Sequence, residues 1–206
     1  MNVAIELGKR FARIATNAVV ANERAWRFFR RPLRAQFERL APKWETMRSP
    51  ESFAPLEAAL GEVPAPRRAL DLGTGTGRAA QIVAERFPEV EVVGVDLAQA
   101  MVDEATRLLP DAVRGRVRFQ RADASDLPFA DGEFDLVVLA NMIPFFDELA
   151  RVTAAGGTVV FSFSLGAKTP IFVPAERLRR ELARRGFGSF REVPAGAGSA
   201  FVARKE

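Results

Sequence analysis

From residue 67 onward, short apolar runs alternate with stretches of helical periodicity, and this alternation restricts the possible folds more than any other feature. "RRALDL" reads as a strand, "GRAAQIVAERF" as a helix ending before Pro88, and "VEVVGVD" as a strand. "AQAMVDEATRLL" reads as a helix stopped by Pro110. "RVRFQRAD" and "EFDLVVLAN" are further strands, "DELARVT" a helix, "GGTVVFSFS" a strand and "PAERLRRELARRG" a helix. The tail "FREVPAGAGSAFVARK" reads as two strands around a Gly-rich turn. Strands separated by helices pair in parallel, because a parallel neighbour needs a long crossover. The predicted fold is therefore α/β: a doubly wound, mostly parallel seven-stranded sheet ending in an antiparallel hairpin.

The first sixty residues follow a different pattern. Phe11, Ile14, Ala15, Ala18 and Val19 recur at helical spacing, and Trp26 and Phe29 continue the stripe. Pro32 suits the first turn of a new helix, on which Leu33, Phe37, Leu40 and Trp44 share one face. The Pro-rich joint "GEVPAPRR" predicts a boundary between a helical N-terminal segment, 1–62, and an α/β domain, 63–206. Residues 1–48 hold eleven Lys/Arg and four Asp/Glu, a net of +7, on a body with a net of −3.

The chain has no His, Cys or Tyr. That excludes a Ser-His-Asp triad, a thiolate nucleophile, a phenol base, disulfides and the usual zinc sites, so no metal is expected. Catalysis here must run on positioning, backbone groups, carboxylates, Lys/Arg or a reactive cofactor. No run of eighteen apolar residues or secretory signal is seen, so a cytoplasmic location is expected.

In such sheets ligands bind beyond the carboxyl ends of the strands. "LDLGTGTG" places Gly73, Gly75 and Gly77 there, spaced G-x-G-x-G rather than the G-x-G-x-x-G of a pyrophosphate loop. Asp71 ends the strand beside the loop and would repel a phosphate at close range. The ligand is expected to carry positive charge there. Asp96 closes the second strand, where an acid can accept both hydroxyls of a ribose, and Asp123 follows the third. A nucleoside with an amino-acid arm and no phosphate fits this layout.

These residues resemble a class I S-adenosylmethionine-dependent methyltransferase, of the small-molecule branch related to the ubiquinone and menaquinone methyltransferases. "LDLGTGTG" resembles the first motif, "GVDLAQAMVDEA" the second and "ADASDLPFADGEFDLVV" the third. "ELARVTAAGGTVVFSFS" resembles the approach to the fifth strand. "FERLAPKWE" resembles the family's F-[DE]-x-x-A-x-x-Y-[DE] lid helix, with Trp44 where Tyr is usual. The likeness runs from about Phe37 to near the C-terminus.

The resemblance implies a Rossmann-like domain binding S-adenosyl-L-methionine under an N-terminal helical lid. Gly73, Thr74, Gly75 and Gly77 would bare the backbone to the methionine arm, and Asp71 would help hold its ammonium. Asp96 would accept from the ribose, Leu97 and Met101 would sandwich adenine, and Asp123 with the N–H of Ala124 would read its edge. Plain core packing is the alternative for Leu97 and Met101. Asn141 would line the sulfonium end. Phe37, Trp44, Met142, Ile143, Phe145 and Phe146 would line an apolar or aromatic acceptor's pocket. Related amine methylases carry N-P-P-[FYW] where this chain has N-M-I-P-F, and the family's frequent His pair is absent. Asp147 and Glu148 are then the nearest candidates for a base, and an acceptor already anionic would need none.

The basic segment "KRFARIATNAVVANERAWRFFRRPLR" reads first as a solvated Arg face over a lid. If residues 1–48 form that lid, deleting residues 1–30 would weaken acceptor turnover more than cofactor binding, because Phe37 and Trp44 remain. An anionic membrane surface is a further partner it could meet, and nucleic acid is disfavoured. Two functions of other classes stay open at this point. One is a nicotinamide-dependent oxidoreductase. The other is a non-catalytic methyltransferase-like domain that binds through its basic segment.

Overall fold

The computed structural model describes residues 3–206. Three helices lead: α1 (Val3–Ala21), α2 (Trp26–Leu40) and α3 (Ala54–Leu60). Strands and helices then alternate: β1 (Arg68–Leu72), α4 (Arg78–Arg86), β2 (Glu91–Asp96), α5 (Gln99–Leu108), β3 (Val117–Arg121), β4 (Phe134–Ala140), α6 (Phe146–Val152), β5 (Thr153–Phe163) and α7 (Ala175–Ala183). β6 (Phe187–Ala195) and β7 (Gly198–Lys205) close the chain.

The seven strands form one sheet in the order β3-β2-β1-β4-β5-β7-β6. Pairing is parallel from β3 to β5, and β7 runs antiparallel between β5 and β6. The order reverses beside β1, between β2 and β4, which opens the crevice where such sheets bind ligands.

Strand alternation sorts the core into two layers. Leu70, Leu72, Val93, Val95, Val137, Leu139 and Phe161 face one side, together with Ala15, Val19, Trp26 and Leu33 from α1 and α2. Ala69, Val92, Leu136, Val138 and Val160 face the other, with α3 and α4. The first three helices are thus built into both faces of the sheet. The predicted 62/63 boundary falls between α3 and β1, and Leu56, Ala59 and Leu60 carry the core across it.

Pro32 does not start a helix, in contrast to the sequence expectation. It lies inside α2, on the exposed side, where water can take the carbonyl that loses its partner. The break comes earlier, at Asn22, whose side chain accepts from the Arg24 N–H at 3.0 Å and starts a 3-10 turn.

Candidate functional site

A cavity of about 940 Å³ lies between α1, α2 and the carboxyl ends of the parallel strands. Its wall carries Gly73, Thr74 and Gly75 after β1, Asp96 and Leu97 at the end of β2, and Met101 of α5. Ala124 follows β3, and Asn141, Met142 and Ile143 follow β4. Phe37 and Trp44 close it from the leading segment, their rings edge-on at 5.5 Å. Twelve of the residues proposed from sequence therefore surround one space.

The glycine loop leaves β1 by hydrogen bonds from the Gly73 and Thr74 N–H groups to the Val95 carbonyl, both 2.9 Å. Gly73, Gly75 and Gly77 all have positive φ. A Cβ on Gly73 would stand 2.6 Å from Met142 Sδ, and one on Gly75 would stand 3.3 Å from Trp44 Nε1. Asp96 Oδ2 accepts from the Gly75 N–H and Oδ1 from the Ala98 N–H, both at 2.9 Å. Burial raises the Asp96 carboxyl above its ordinary pKa, against the lowering effect of these donors. Each oxygen keeps a lone pair for a further donor from the cavity. Asn141, at the end of β4, has φ 55, a left-handed conformation that Asn tolerates better than most residues, and its Oδ1 accepts from the Ser164 N–H at 3.0 Å.

Seven predicted residues lie elsewhere. Asp71 is fully buried and does not line the cavity. It shares the face of β1 that carries Ala69, so it points toward α4, where Oδ2 accepts from Thr74 Oγ1 at 2.5 Å and the Ala80 N–H at 3.0 Å. It braces the loop from behind instead of meeting a ligand's ammonium. Gly77 is also outside the wall; a Cβ there would come within 2.6 Å of Phe119 Cζ. Its conformation starts α4 and its bareness seats Phe119.

Asp123 is turned toward the leading segment: Oδ1 accepts from Trp26 Nε1 at 2.8 Å and from Ser125 N and Oγ at 3.0 and 2.8 Å. Phe145 and Phe146 are core residues with exposures of 0% and 2%, not cavity walls: at the start of α6 they belong to the same buried cluster as Leu149 and Val152, with Phe145 edge-on to Trp26. Asp147 is exposed and paired with Arg185 at 2.7 Å. Glu148 is held by Arg151 at 2.7 Å and by the Leu127 N–H at 2.6 Å, and Arg151 lowers its pKa. Neither reaches the cavity, so neither is placed to act as its base.

The sequence reading missed how the leading segment holds the site. Its side chains reach the loop after every parallel strand. After β1, Thr76 Oγ1 donates to Glu45 and accepts from the Arg48 guanidinium at 2.5 Å. After β2, the Glu38 carboxylate accepts from the Gln99 and Ala100 N–H groups at 3.0 and 2.9 Å, capping α5. After β3, Trp26 binds Asp123; after β4, Glu23 accepts from the Phe146 N–H at 2.6 Å. After β5, Arg13 donates to the Ala167 and Thr169 carbonyls at 3.2 and 2.6 Å. Glu38 and Glu45 are the two acids of "FERLAPKWE", so the motif itself carried that signal. Nothing local marked Trp26 or Arg48. Arg48 lines the cavity beside the glycine loop, stacked on Phe53 at 4.9 Å.

Residues 69–157 match the family model described as a methyltransferase domain. Over 140 residues the chain is 40% identical to a demethylmenaquinone methyltransferase of Thermus thermophilus, covering 60% of this chain and 62% of that protein. The matched stretch resembles the methyltransferase domain of the class I, S-adenosylmethionine-dependent kind. It is also 37% identical over 112 residues to a malonyl-[acyl-carrier protein] O-methyltransferase of Legionella pneumophila, covering 51% of this chain and 38% of that protein. The chain thus spans less than two thirds of the length of these curated relatives. A solved S-adenosylmethionine-dependent methyltransferase from Aquifex aeolicus shares the fold, with a TM-score of 0.65 at 17% identity over 80% of this chain and 97% of that one. The cofactor of this family and fold is S-adenosyl-L-methionine. The cavity fits it: bare glycine backbone, an Asp with open lone pairs, and apolar walls from Leu97, Met101 and Ala124.

Two expected results follow in the methyltransferase domain. Gly75→Val should abolish S-adenosylhomocysteine binding in calorimetry and lower the melting temperature less than Gly77→Val does, since both carry the strain of a positive φ but the Gly75 Cβ meets only Trp44 at the cavity wall. Gly77→Val should do the reverse in kind and unfold the domain at lower temperature, because its side chain meets Phe119 in the core. Equal effects of the two on melting and binding would refute this division of the loop.

Asp71 makes stability depend on pH. Burial pushes its pKa up from 3.8 to about 6, and Oδ1 has no hydrogen-bond partner among the described residues. The folded state thus holds a proton that the unfolded state releases between about pH 4 and 6. The stabilisation is full below the lower value and is lost as pH rises through the upper one, on the order of 3 kcal/mol over the window. Asp71→Asn removes this titration. The melting temperature of wild type should therefore rise relative to that of Asp71→Asn as pH falls from 7 to 5, and a difference that does not change with pH would contradict it.

Proposed function

We propose that this chain transfers a methyl group from S-adenosylmethionine to a small, apolar or aromatic acceptor lying under α1 and α2, by alignment without a covalent intermediate. The observation that supports this most is the composition of the cavity wall. Among the described residues lining it, Asp96 is the sole carboxylate, while Leu33, Phe37, Met142, Ile143 and Ile171 make an apolar end.

In this reading Asp96 binds the ribose, Leu97, Met101 and Ala124 enclose adenine, and Gly73, Thr74 and Gly75 accommodate the methionine arm. Arg48 supplies the positive charge beside the glycine loop that the arm's carboxylate requires. Asn141, fixed by Ser164, borders the junction between the two ends of the cavity. The cofactor brings an activated methyl group and a neutral thioether leaving group. The chain's own task is to hold donor and acceptor in line and exclude water. With Asp96, the sole carboxylate among the described wall residues, committed to the ribose, an acceptor that arrives already anionic reacts without losing a proton to the protein.

Methyl-labelled cofactor offered with a panel of phenols, quinols, amines and carboxylates, spanning the acceptors in the relatives' names, tests this reading. Label in a small acceptor, with tight S-adenosylhomocysteine binding, is the expected result. Tight binding with no transfer to any class would favour the non-catalytic domain. A melting shift with a nicotinamide cofactor and none with S-adenosylhomocysteine would overturn the assignment.

A further inference from the structure

The large apolar side chains most exposed among the described residues are Leu7, Ile14, Phe28, Met47 and Leu165, between 50% and 65% accessible. The first four belong to the leading segment. Leu165 sits in the loop that Arg13 grips, so it borders the same segment.

On α1, Leu7 and Ile14 are two turns apart with Arg10 between them on the outer side, while Ala15, Thr16 and Val19 face the core. On α2, Arg27, Arg31 and Arg34 recur at i, i+4 and i+7 along one exposed stripe, about a quarter to a third of a turn from buried Trp26 and Leu33, and the Arg27 guanidinium lies 4.6 Å over the Phe28 ring. Arg10, Arg31 and Arg34 are exposed and make no ion pair among the described residues. Some arginines elsewhere in the chain are paired, Arg68 with Glu133, Arg151 with Glu148 and Arg185 with Asp147, so the unpaired group on α1 and α2 stands out by its clustering beside exposed Leu7, Ile14 and Phe28.

We propose that the outer face of α1 and α2 docks on an anionic lipid surface. Charge complementarity selects the partner's sign, and the aliphatic side chains select its kind. Guanidinium groups find phosphate on both a bilayer and a nucleic acid. Leu7 and Ile14 gain nothing from a polynucleotide, whereas the boundary between headgroups and acyl chains accepts Leu, Ile and Phe together with Arg. The cavity lies directly beneath these helices, walled by Gly8 and Ala12 of α1 and Gln36 and Phe37 of α2. A lipophilic acceptor would pass from the bilayer into the site without crossing bulk water. The docking itself does not depend on which acceptor is methylated.

The test is co-sedimentation of the full chain with phosphatidylcholine vesicles, with and without about one third phosphatidylglycerol, at low and high salt. Binding to the anionic vesicles only, lost at high salt, is expected. Arg27→Glu/Arg31→Glu/Arg34→Glu should weaken it at least about tenfold. Ile14→Ser/Phe28→Ser should weaken it as well, and both variants should bind S-adenosylhomocysteine like wild type. Wild type that stays in the supernatant at low salt overturns the proposal. So does an Ile14→Ser/Phe28→Ser variant that sediments unchanged, or a short duplex DNA that outcompetes the vesicles.

Discussion

Asp96→Ala is expected to bind S-adenosylmethionine about 30- to 1000-fold more weakly than wild type, a loss of about 2–4 kcal/mol. Two charge-assisted bonds to the ribose would disappear, each worth roughly 1.5–3 kcal/mol, partly replaced by water. The structure adds a second route to the same loss. Asp96 also fixes the Gly75 and Ala98 N–H groups, so its removal frees the glycine loop and the entry to α5. Asp96→Glu keeps the charge and pushes it into the cavity, so it should fall between the two. Asp126→Ala is the control, since Asp126 is absent from the cavity wall, and should change little. Calorimetry with each variant decides the matter: an Asp96→Ala affinity within about twofold of wild type, under 0.5 kcal/mol, would sink the placement of the ribose.

Trp26→Ala should cost about 3–5 kcal/mol of stability and weaken the cofactor site at the same time. The indole is 6% exposed, packs edge-on to Phe145 at 5.2 Å, and donates to Asp123 Oδ1. Its loss leaves a void between α2 and the sheet and releases the loop that carries Ala124. Trp26→Phe separates the two roles. It keeps most of the packing and deletes the N–H, so its melting temperature should recover most of the loss while cofactor affinity stays reduced. If Trp26→Phe restores both, Trp26 is only a packing residue. The sequence alone suggested that deleting residues 1–30 would harm acceptor turnover more than cofactor binding. The leading segment's bonds to five loops imply instead that both depend on it.

The layout of strands, helices and glycine loop was legible because those signals are local. Period-two and period-3.6 apolar patterns, a Pro or Gly at element ends and a G-x-G-x-G loop after a strand need only a few neighbouring residues to take effect. Gly73, Gly75 and Asp96 followed from the same short-range logic, because strand ends in a parallel sheet converge on one crevice, whereas Leu97 and Met101 came with the family resemblance. Pro32 was misread because helix breaking depends on whether water can reach the freed carbonyl, which is set by the face that Pro occupies.

What only the tertiary structure decided is the partner of each polar side chain. A strand's alternation turned Asp71 to the α4 side of the sheet, although its position beside the glycine loop suggested the ligand. Arg185 and Arg151, 38 and 3 residues away, drew Asp147 and Glu148 out of reach of the cavity. Trp26 claimed an oxygen of Asp123 across 97 residues of sequence. The sequence by itself determined where backbone and carboxylates gather, because backbone geometry follows from neighbours in the chain. Long-range packing determined which of those groups face the cavity, because a charged or aromatic side chain points to whatever the fold brings beside it.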